Sequence, residues 1–384
     1  MTALLSRNRG IVMALQTAYD DIRLTTPWHR LHIDLPLFIA LLLLLTVGMF
    51  ILVSASSQNM SVVRHQTISL GVSVVLMLLI AQISPRYFSV VAPWLYATGL
   101  ILLLAVLLFG ETSKGAQRWL NLGFFRFQPS EMMKLAVPMT LAGLLHDKVL
   151  PIRLPTLAVA LTLTLIPSVL VIKQPDLDTA LLIMVSGCMV IFLAGISWRL
   201  LAGLAGLCVL AAPIGWSLLH DYQRQRVYTF LSPESDPLGS GYHIIQSTIA
   251  IGSGGFYGKG WLAGTQSHLQ FLPERTTDFI FAVLGEELGF LGVCGLLALY
   301  VYMIVRMVHI SVQAQDTFTR LLAGSLSFTF FIYIFVNIGM VCGVLPVMGI
   351  PLPLVSYGGT SMVTLMAGFG ILMSIHTHRK LLAT

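Results

Sequence analysis

A chain of 384 residues that is 56% hydrophobic and only 10% charged carries more apolar surface than a soluble domain of this length can bury, so the class is an all-α polytopic membrane protein. The formal charge of +6 does not point to nucleic acid, because the basic residues are scattered among apolar runs. Cys188, Cys208, Cys294 and Cys342 lie within or at the edges of those runs without CxxC spacing, and read as small apolar packing residues rather than disulfides or metal ligands.

A bilayer-crossing helix needs about 20 mostly apolar residues. On that measure ten crossings are predicted: Leu35–Ser54, Thr67–Ile83, Ala92–Gly110, Met132–His146, Thr156–Ile172, Thr179–Gly195, Leu200–Leu219, Leu288–Val308, Leu321–Gly343 and Val355–His376. The first is too long for a removable leader and lacks a small-residue cleavage site, so it is expected to stay as an anchor. Residues 1–32 are expected to form a cytoplasmic extension, and residues 33–380 a ten-helix domain with a long outer loop at 220–277. An even number of crossings puts both termini on one side. The connectors Ser84–Val90 and Ser197–Arg199 carry Arg and no acid, which favours the cytoplasm for that side. Most carboxylates from Glu111 to Glu287 then gather on or near the outer face.

The polar segments follow in chain order. ETSKGAQRWLNLGFFRFQPSEMMK precedes the fourth crossing, with Ser130 as its predicted N-cap and Glu131 favourable to the helix dipole. Lys134 opposes that dipole. Either Glu131, three residues earlier, compensates it, or Lys134, the helix-end N–H groups and Arg118 together hold a phosphate. In KQPDLDTA, Asp176 or Asp178 is either an N-cap or, with Lys173, an extension of the outer polar surface. In the second case Asp176 serves as an orienting carboxylate or as an oxygen ligand for a hard divalent ion. Arg224 and Arg226 of DYQRQR read as solvated, snorkelling side chains. HIIQSTIAI has the alternation of a short amphipathic interfacial helix. GSGGFYGKG fits neither common phosphate-loop spacing and reads as a flexible hinge.

LPERTTDFIFAVLGEELG ends the long loop. A spanning helix begun at Asp278 would carry Glu286 and Glu287 roughly 12 Å deep at about 1.5 Å per residue, which is costly in hydrocarbon. Phe279–Glu287 is therefore expected to be a half-helix at the interface or packed within protein. Asp278 is then either a plain N-cap or a partly desolvated carboxylate, and so a better base. The last connector, GVLPVMGIPLPLVSYGGTS, holds Pro346, Pro351 and Pro353. Irregular backbone of this kind is tolerated at membrane depth only where protein or a cavity covers it. Ser356 to Gly359 either open the last helix or wall a substrate groove.

Taken together, KGAQRWLNLG, RFQPSEMMKLA, QPDLDTA, DPLGSGYHIIQS, FLPERTTDFIFAVLGEELG and PLPLVSYGG resemble the SEDS family (shape, elongation, division and sporulation) in order and spacing, over nearly the whole chain after about residue 33. DYQRQRV, IPLPLVSYGG and SIHTHRK resemble its elongation branch more than its division branch. The resemblance implies a peptidoglycan glycosyltransferase that polymerises lipid II, a disaccharide-pentapeptide on undecaprenyl pyrophosphate, at the outer face of the bacterial inner membrane. It also implies a class B penicillin-binding protein as partner and a divalent cation, Mg2+ or Mn2+, without assigning the metal's ligands. It maps an essential aspartate onto Asp278, and further polar positions, expected to serve the substrate's pyrophosphate, onto Arg118, Glu131, Lys134 and Asp176. Asp178 departs from the pattern, which usually has glycine there.

On these residues the expected chemistry is inverting glycosyl transfer. Asp278 is the general base, and Arg118, Lys134 and a divalent ion stabilise the charge of the leaving group. Rival classes are a lipid II flippase and a scaffold for the partner. The gathering of polar groups toward one face argues against alternating access, which needs a site near the midplane.

Overall fold

The computed structural model describes residues 31–113, 116–121, 126–148, 152–218, 221–232, 234, 240–269, 271–272 and 274–379. The expected N-terminal extension therefore lies outside the described residues except for its last two. Helices α1 (Leu35–Ala55), α2 (Met60–Ala81) and α3 (Pro85–Phe109) are followed by strands β1 (Glu111–Ser113), β2 (Ala116–Asn121) and β3 (Arg126–Phe127). Then come α4 (Pro129–Leu145), α5 (Leu154–Lys173), α6 (Leu177–Leu193) and α7 (Trp198–Leu218). The long loop carries α8 (Asp221–Leu231), α9 (Ser240–Ser253) and α10 (Thr265–His268), before α11 (Ile280–Val312), α12 (Thr317–Val341) and α13 (Gly359–Thr377).

Each predicted crossing has its helix. Eight are long and apolar enough to span a bilayer, and α4 and α6, at 17 residues each, are the short pair. Several boundaries move. The second helix starts at Met60, because Asn59 caps it by accepting the Ser61 N–H at 3.1 Å; the polar run Arg64–Gln66 is simply its first turns. The third starts at Pro85, whose fixed φ suits a first helical position. The last starts at Gly359 rather than Val355. Ser130 is not the cap of α4: Gln128 holds that position, Pro129 is the first helical residue, and Ser130 is buried. Cys188, Cys294 and Cys342 are exposed, so these three face outward instead of filling the core.

No strand is predicted from the sequence, yet β1, β2 and β3 form a small antiparallel sheet in that order, with Leu120 opposite Phe127 and Asn121 opposite Arg126. This sheet carries Arg118 across the end of α4 and α6. The core lies where α12 and α13 pack against α4, α6 and α11. Phe330 meets Phe369 edge-on at 5.2 Å and Tyr300 at 6.0 Å. The amphipathic α9 turns Ile244, Ser247 and Ala250 inward, and Ser247 Oγ donates to Val341 O at 2.8 Å, so its buried face docks on protein.

The expected half-helix is present. The α11 helix breaks at Gly289, at φ 63° and ψ −161°, leaving residues 280–288 as a separate short helix. Glu286 and Glu287 are fully buried but matched. Glu286 accepts from Lys259 Nζ at 2.8 Å and Gln266 N at 2.9 Å, and Glu287 accepts from Ser54 Oγ. The glycine-rich segment is a clasp on this break rather than a free hinge. Lys259 and Gly260 donate their N–H groups to Glu286 O and Glu287 O, and Gly255 O receives the Phe290 N–H at 2.9 Å. The approach is so close that a methyl group on Gly289 would stand 2.2 Å from Gly258 N.

At one end of the bundle His32 stacks on His378 at 4.0 Å. There Asp34, the N-cap of α1, binds Arg306 Nη2 at 2.6 Å and His376 Nε2 at 3.0 Å. The first and last described residues therefore share a face with the far end of α11. Asp278 precedes its near end, and the unbroken part of the helix from Gly289 to Arg306 alone spans about 26 Å at 1.5 Å per helical residue.

Candidate functional site

On that opposite face a cavity of about 630 Å³ collects side chains from the segment before α4, the start of α6, the end of the long loop and the last connector, while DYQRQR, HIIQSTIAI and the glycine-rich segment stay outside its lining; Arg118, Glu131, Lys134, Asp176, Asp178 and Asp278 all line it. Its walls are the sheet, the first turns of α4 and α6, the turn before α11, α12, and the connector into α13. Tyr357, Gly358 and Gly359 also line it, so that motif both opens a helix and walls the groove.

The first turn of α6 supplies the acidic wall. Asp176 caps the helix through the Thr179 N–H at 3.2 Å and also accepts from Gln128 Nε2 at 3.2 Å. Arg118 Nε stands 3.6 Å from its Oδ2, and Arg118 Nη2 donates to Pro175 O at 2.6 Å. Capping and polar-surface roles thus coexist in one side chain. Lys173, by contrast, is exposed and outside the cavity lining.

Lys134 is buried in the first turns of α4. Its Nζ donates to Glu131 Oε1 at 2.6 Å and to Tyr333 Oη at 2.7 Å. Glu131 does compensate it, as the i, i+3 spacing allows. An ammonium has three donors, so one remains for whatever enters the cavity. Arg226 is not a freely solvated snorkelling side chain: its Nη1 reaches Asp178 Oδ1 at 3.3 Å. Arg224 instead donates to Ser217 O at 2.7 Å at the end of α7.

Asp278 is half-buried in the turn ahead of α11, and Phe279 rather than Asp278 takes the N-cap position. The turn is braced by the proline-rich connector. Tyr357 N donates to Thr276 O at 2.9 Å, and Ser356 Oγ donates to Thr277 O at 2.5 Å. Asn337, fully buried in α12, donates from Nδ2 both to Asp278 O at 2.9 Å and to Ile350 O at 2.8 Å.

Asn337, Tyr333 and Gln128 escaped the sequence reading. Asn337 carried a usable signal, since it is a lone amide inside an apolar run, where polar groups are costly. Among the described residues no group of three or more His, Cys, Asp or Glu side chains has the geometry to hold a metal ion.

The arrangement resembles that of known proteins. The chain matches the family described as Cell cycle protein (FtsW, RodA, SpoVE) over residues 32–381. It is 53% identical over 365 residues, 95% of this chain and 99% of the relative, to the peptidoglycan glycosyltransferase MrdB of Escherichia coli (strain K12). Among solved structures, it is similar to a chain of a peptidoglycan synthase complex described as coordinating polymerization and crosslinking (TM-score 0.79, 35% identity, covering 89% of this chain and 97% of that one). It is also similar to the rod shape determining protein RodA of Thermus thermophilus (TM-score 0.69, 31% identity, covering 89% and 96%). The chain is a polytopic helical membrane protein and belongs to the FtsW, RodA and SpoVE family, the SEDS proteins that its motifs resemble.

Proposed function

We propose that this chain is a peptidoglycan glycosyltransferase of the elongation type, polymerising lipid II into glycan strands that maintain rod shape. One observation carries this reading: a half-buried carboxylate, Asp278, shares a 630 Å³ cavity with Arg118 and Lys134 at the end of the bundle away from the chain termini. A substrate with a prenyl tail, a pyrophosphate and sugars needs such a site, open to water yet bordered by membrane helices.

In the mechanism, Asp278 takes the proton of the acceptor sugar's 4-hydroxyl as that oxygen attacks the anomeric carbon of the donor. The bond to the pyrophosphate oxygen breaks, the leaving group carries off the electron pair, and the anomeric configuration inverts. Lys134 and Arg118 supply oriented N–H donors to the developing charge, while Glu131 and Asp176 hold them in place. Asn337 fixes the backbone of the base.

A divalent cation belongs to this reading only in company with the substrate. Among the described residues the side chains build no complete cage, whereas Mg2+ is commonly held by few carboxylates together with substrate phosphates. Bound there, the ion would supply further charge neutralisation. The partner we propose is a class B penicillin-binding protein, and the compartment the bacterial inner membrane with both termini cytoplasmic. The clustering of Arg86, Arg153, Arg199 and Arg306 toward the termini's face supports that orientation. A flippase reading is disfavoured because the polar cavity lies at one end of the helices and not at mid-depth.

The test is polymerisation of purified lipid II by the full-length protein. Asp278→Asn should fold and lose about 10²- to 10⁴-fold in rate, the usual contribution of a positioned general base. Near wild-type glycan synthesis by that variant would overturn the assignment.

A further inference from the structure

Asp178 is the position where the chain departs from the pattern it otherwise resembles, and its surroundings give it work. The capping of α6 is already done by Asp176, so Asp178, the next acidic residue, is redundant for that purpose. It is nonetheless buried, with its two oxygens used in different directions. Oδ1 accepts from Arg226 Nη1 of α8 at 3.3 Å, and Oδ2 accepts from Gly349 N of the proline-rich connector at 3.2 Å.

Gly349 lies between two carboxylates. A methyl group there would stand 3.4 Å from Asp178 Oδ2 and 3.8 Å from Asp278 Oδ2. The next residue, Ile350, is held from the other side by Asn337, whose same amide nitrogen holds Asp278 O. The path runs from Arg226 through Asp178 to the N–H of Gly349, along the backbone to the carbonyl of Ile350, and through Asn337 to Asp278. The connector has little regular structure of its own to maintain this register; its local bonds are Ile350 N to Met348 O at 2.8 Å and, further on, a turn in which Ser356 N reaches Leu352 O at 3.0 Å. Asp178 and Arg226 also border a second, mostly apolar cavity of about 230 Å³ beside Val347 and Met348, so among the described residues the connector borders open space on that side.

We propose that Asp178 is a positioning residue for the polymerisation reaction, strapping the connector to the first turn of α6, with Arg226 of α8 steadying its carboxylate, so that Gly349 and Ile350 hold the Asp278 turn in register with the cavity. This rests on the glycosyltransferase reading above. The strap acts on geometry at the reacting groups, where small displacements are expensive in rate, and not on the affinity of the cavity for lipid II.

The experiment is steady-state polymerisation by the full-length protein across lipid II concentrations, normalised to folded protein. Asp178→Ala removes both bonds and is expected to lower kcat roughly 10- to 100-fold with KM little changed. Asp178→Asn keeps an oxygen for the Gly349 N–H and should recover most of kcat. Arg226→Gln should lower kcat modestly, and adding it to Asp178→Ala should cost nothing further, because the strap is already cut. If Asp178→Ala does not fold, the Asn and Gln variants carry the test. Wild-type kcat in the Ala variant, an Asn variant as slow as Ala or, where Ala does not fold, one with a raised KM, or additive losses in the double variant would overturn the proposal. Failure of the wild-type protein to make any glycan would instead overturn the glycosyltransferase reading.

Discussion

At the residue scale, the site is built from charges that are matched before any substrate arrives. Lys134 and Glu131 lie 2.6 Å apart and are both buried. Cutting one partner of such a pair leaves an uncompensated buried charge, a loss of about 3–5 kcal/mol. Lys134→Met should therefore lower both the thermal midpoint in detergent and the polymerisation rate. Pairing it with Glu131→Gln should restore much of the midpoint, because the stranded charge is gone, and leave polymerisation impaired, because the donor to the substrate is still missing. Recovery of activity along with stability would show that Lys134 serves the fold alone. The charge pattern made this pair legible in the sequence through its i, i+3 spacing. Tyr333, the second acceptor of the same ammonium, was not legible, because it comes from a helix 199 residues away along the chain.

At the element scale, the decisive feature is the broken α11. Its first part follows the long loop and its second is apolar and long enough to cross a membrane, with Gly289 between them. The carboxylates Glu286 and Glu287 announced that break, since a continuous span could not carry both into hydrocarbon. What they did not announce was the clasp that accepts the freed backbone groups. Gly289→Ala meets two obstacles, a positive φ and a Cβ 2.2 Å from Gly258 N. A residue forced into such backbone costs on the order of 1–3 kcal/mol, and the clash adds to it. Thermal unfolding of the variant should show at least that loss, with the Asp278 turn loosened and polymerisation reduced. An unchanged midpoint would mean that the clasp yields freely.

At the scale of the whole molecule, the two ends of the bundle are differently made. The end that bears Asp278 holds an open polar cavity; the other carries the cluster of Asp34, Arg306 and His376. Burial raises the proton affinity of Asp34, but the Arg306 guanidinium, the Leu37 N–H and nearby His376 outweigh it and hold the carboxyl below the usual aspartate range. A depressed folded-state value means that the unfolded chain binds the proton more readily. The stabilisation is then complete above the unfolded value of about 3.9 and is lost as pH falls through the lower, folded value. Asp34→Asn should flatten the acid limb of stability below about pH 4 while sparing polymerisation at neutral pH. An acid limb identical to wild type would assign the acid sensitivity elsewhere.

Composition and apolar run length were enough to establish a polytopic helical membrane protein and to locate its apolar helices, eight of them among the described residues long and apolar enough to cross a membrane, because the bilayer imposes a minimum length on every crossing whatever its neighbours are. Spacing was enough to mark Asp278, Lys134, Glu131, Asp176 and Arg118, because charges beside hydrocarbon are conspicuous. Their convergence on one cavity was not written in the spacing. Neither were the small sheet that delivers Arg118, the docking of the glycine segment on α11, the amide of Asn337 behind Asp278, or the tie from Arg226 to Asp178. Each of these depends on which helix faces lie side by side, and that is settled by packing between segments far apart in the chain.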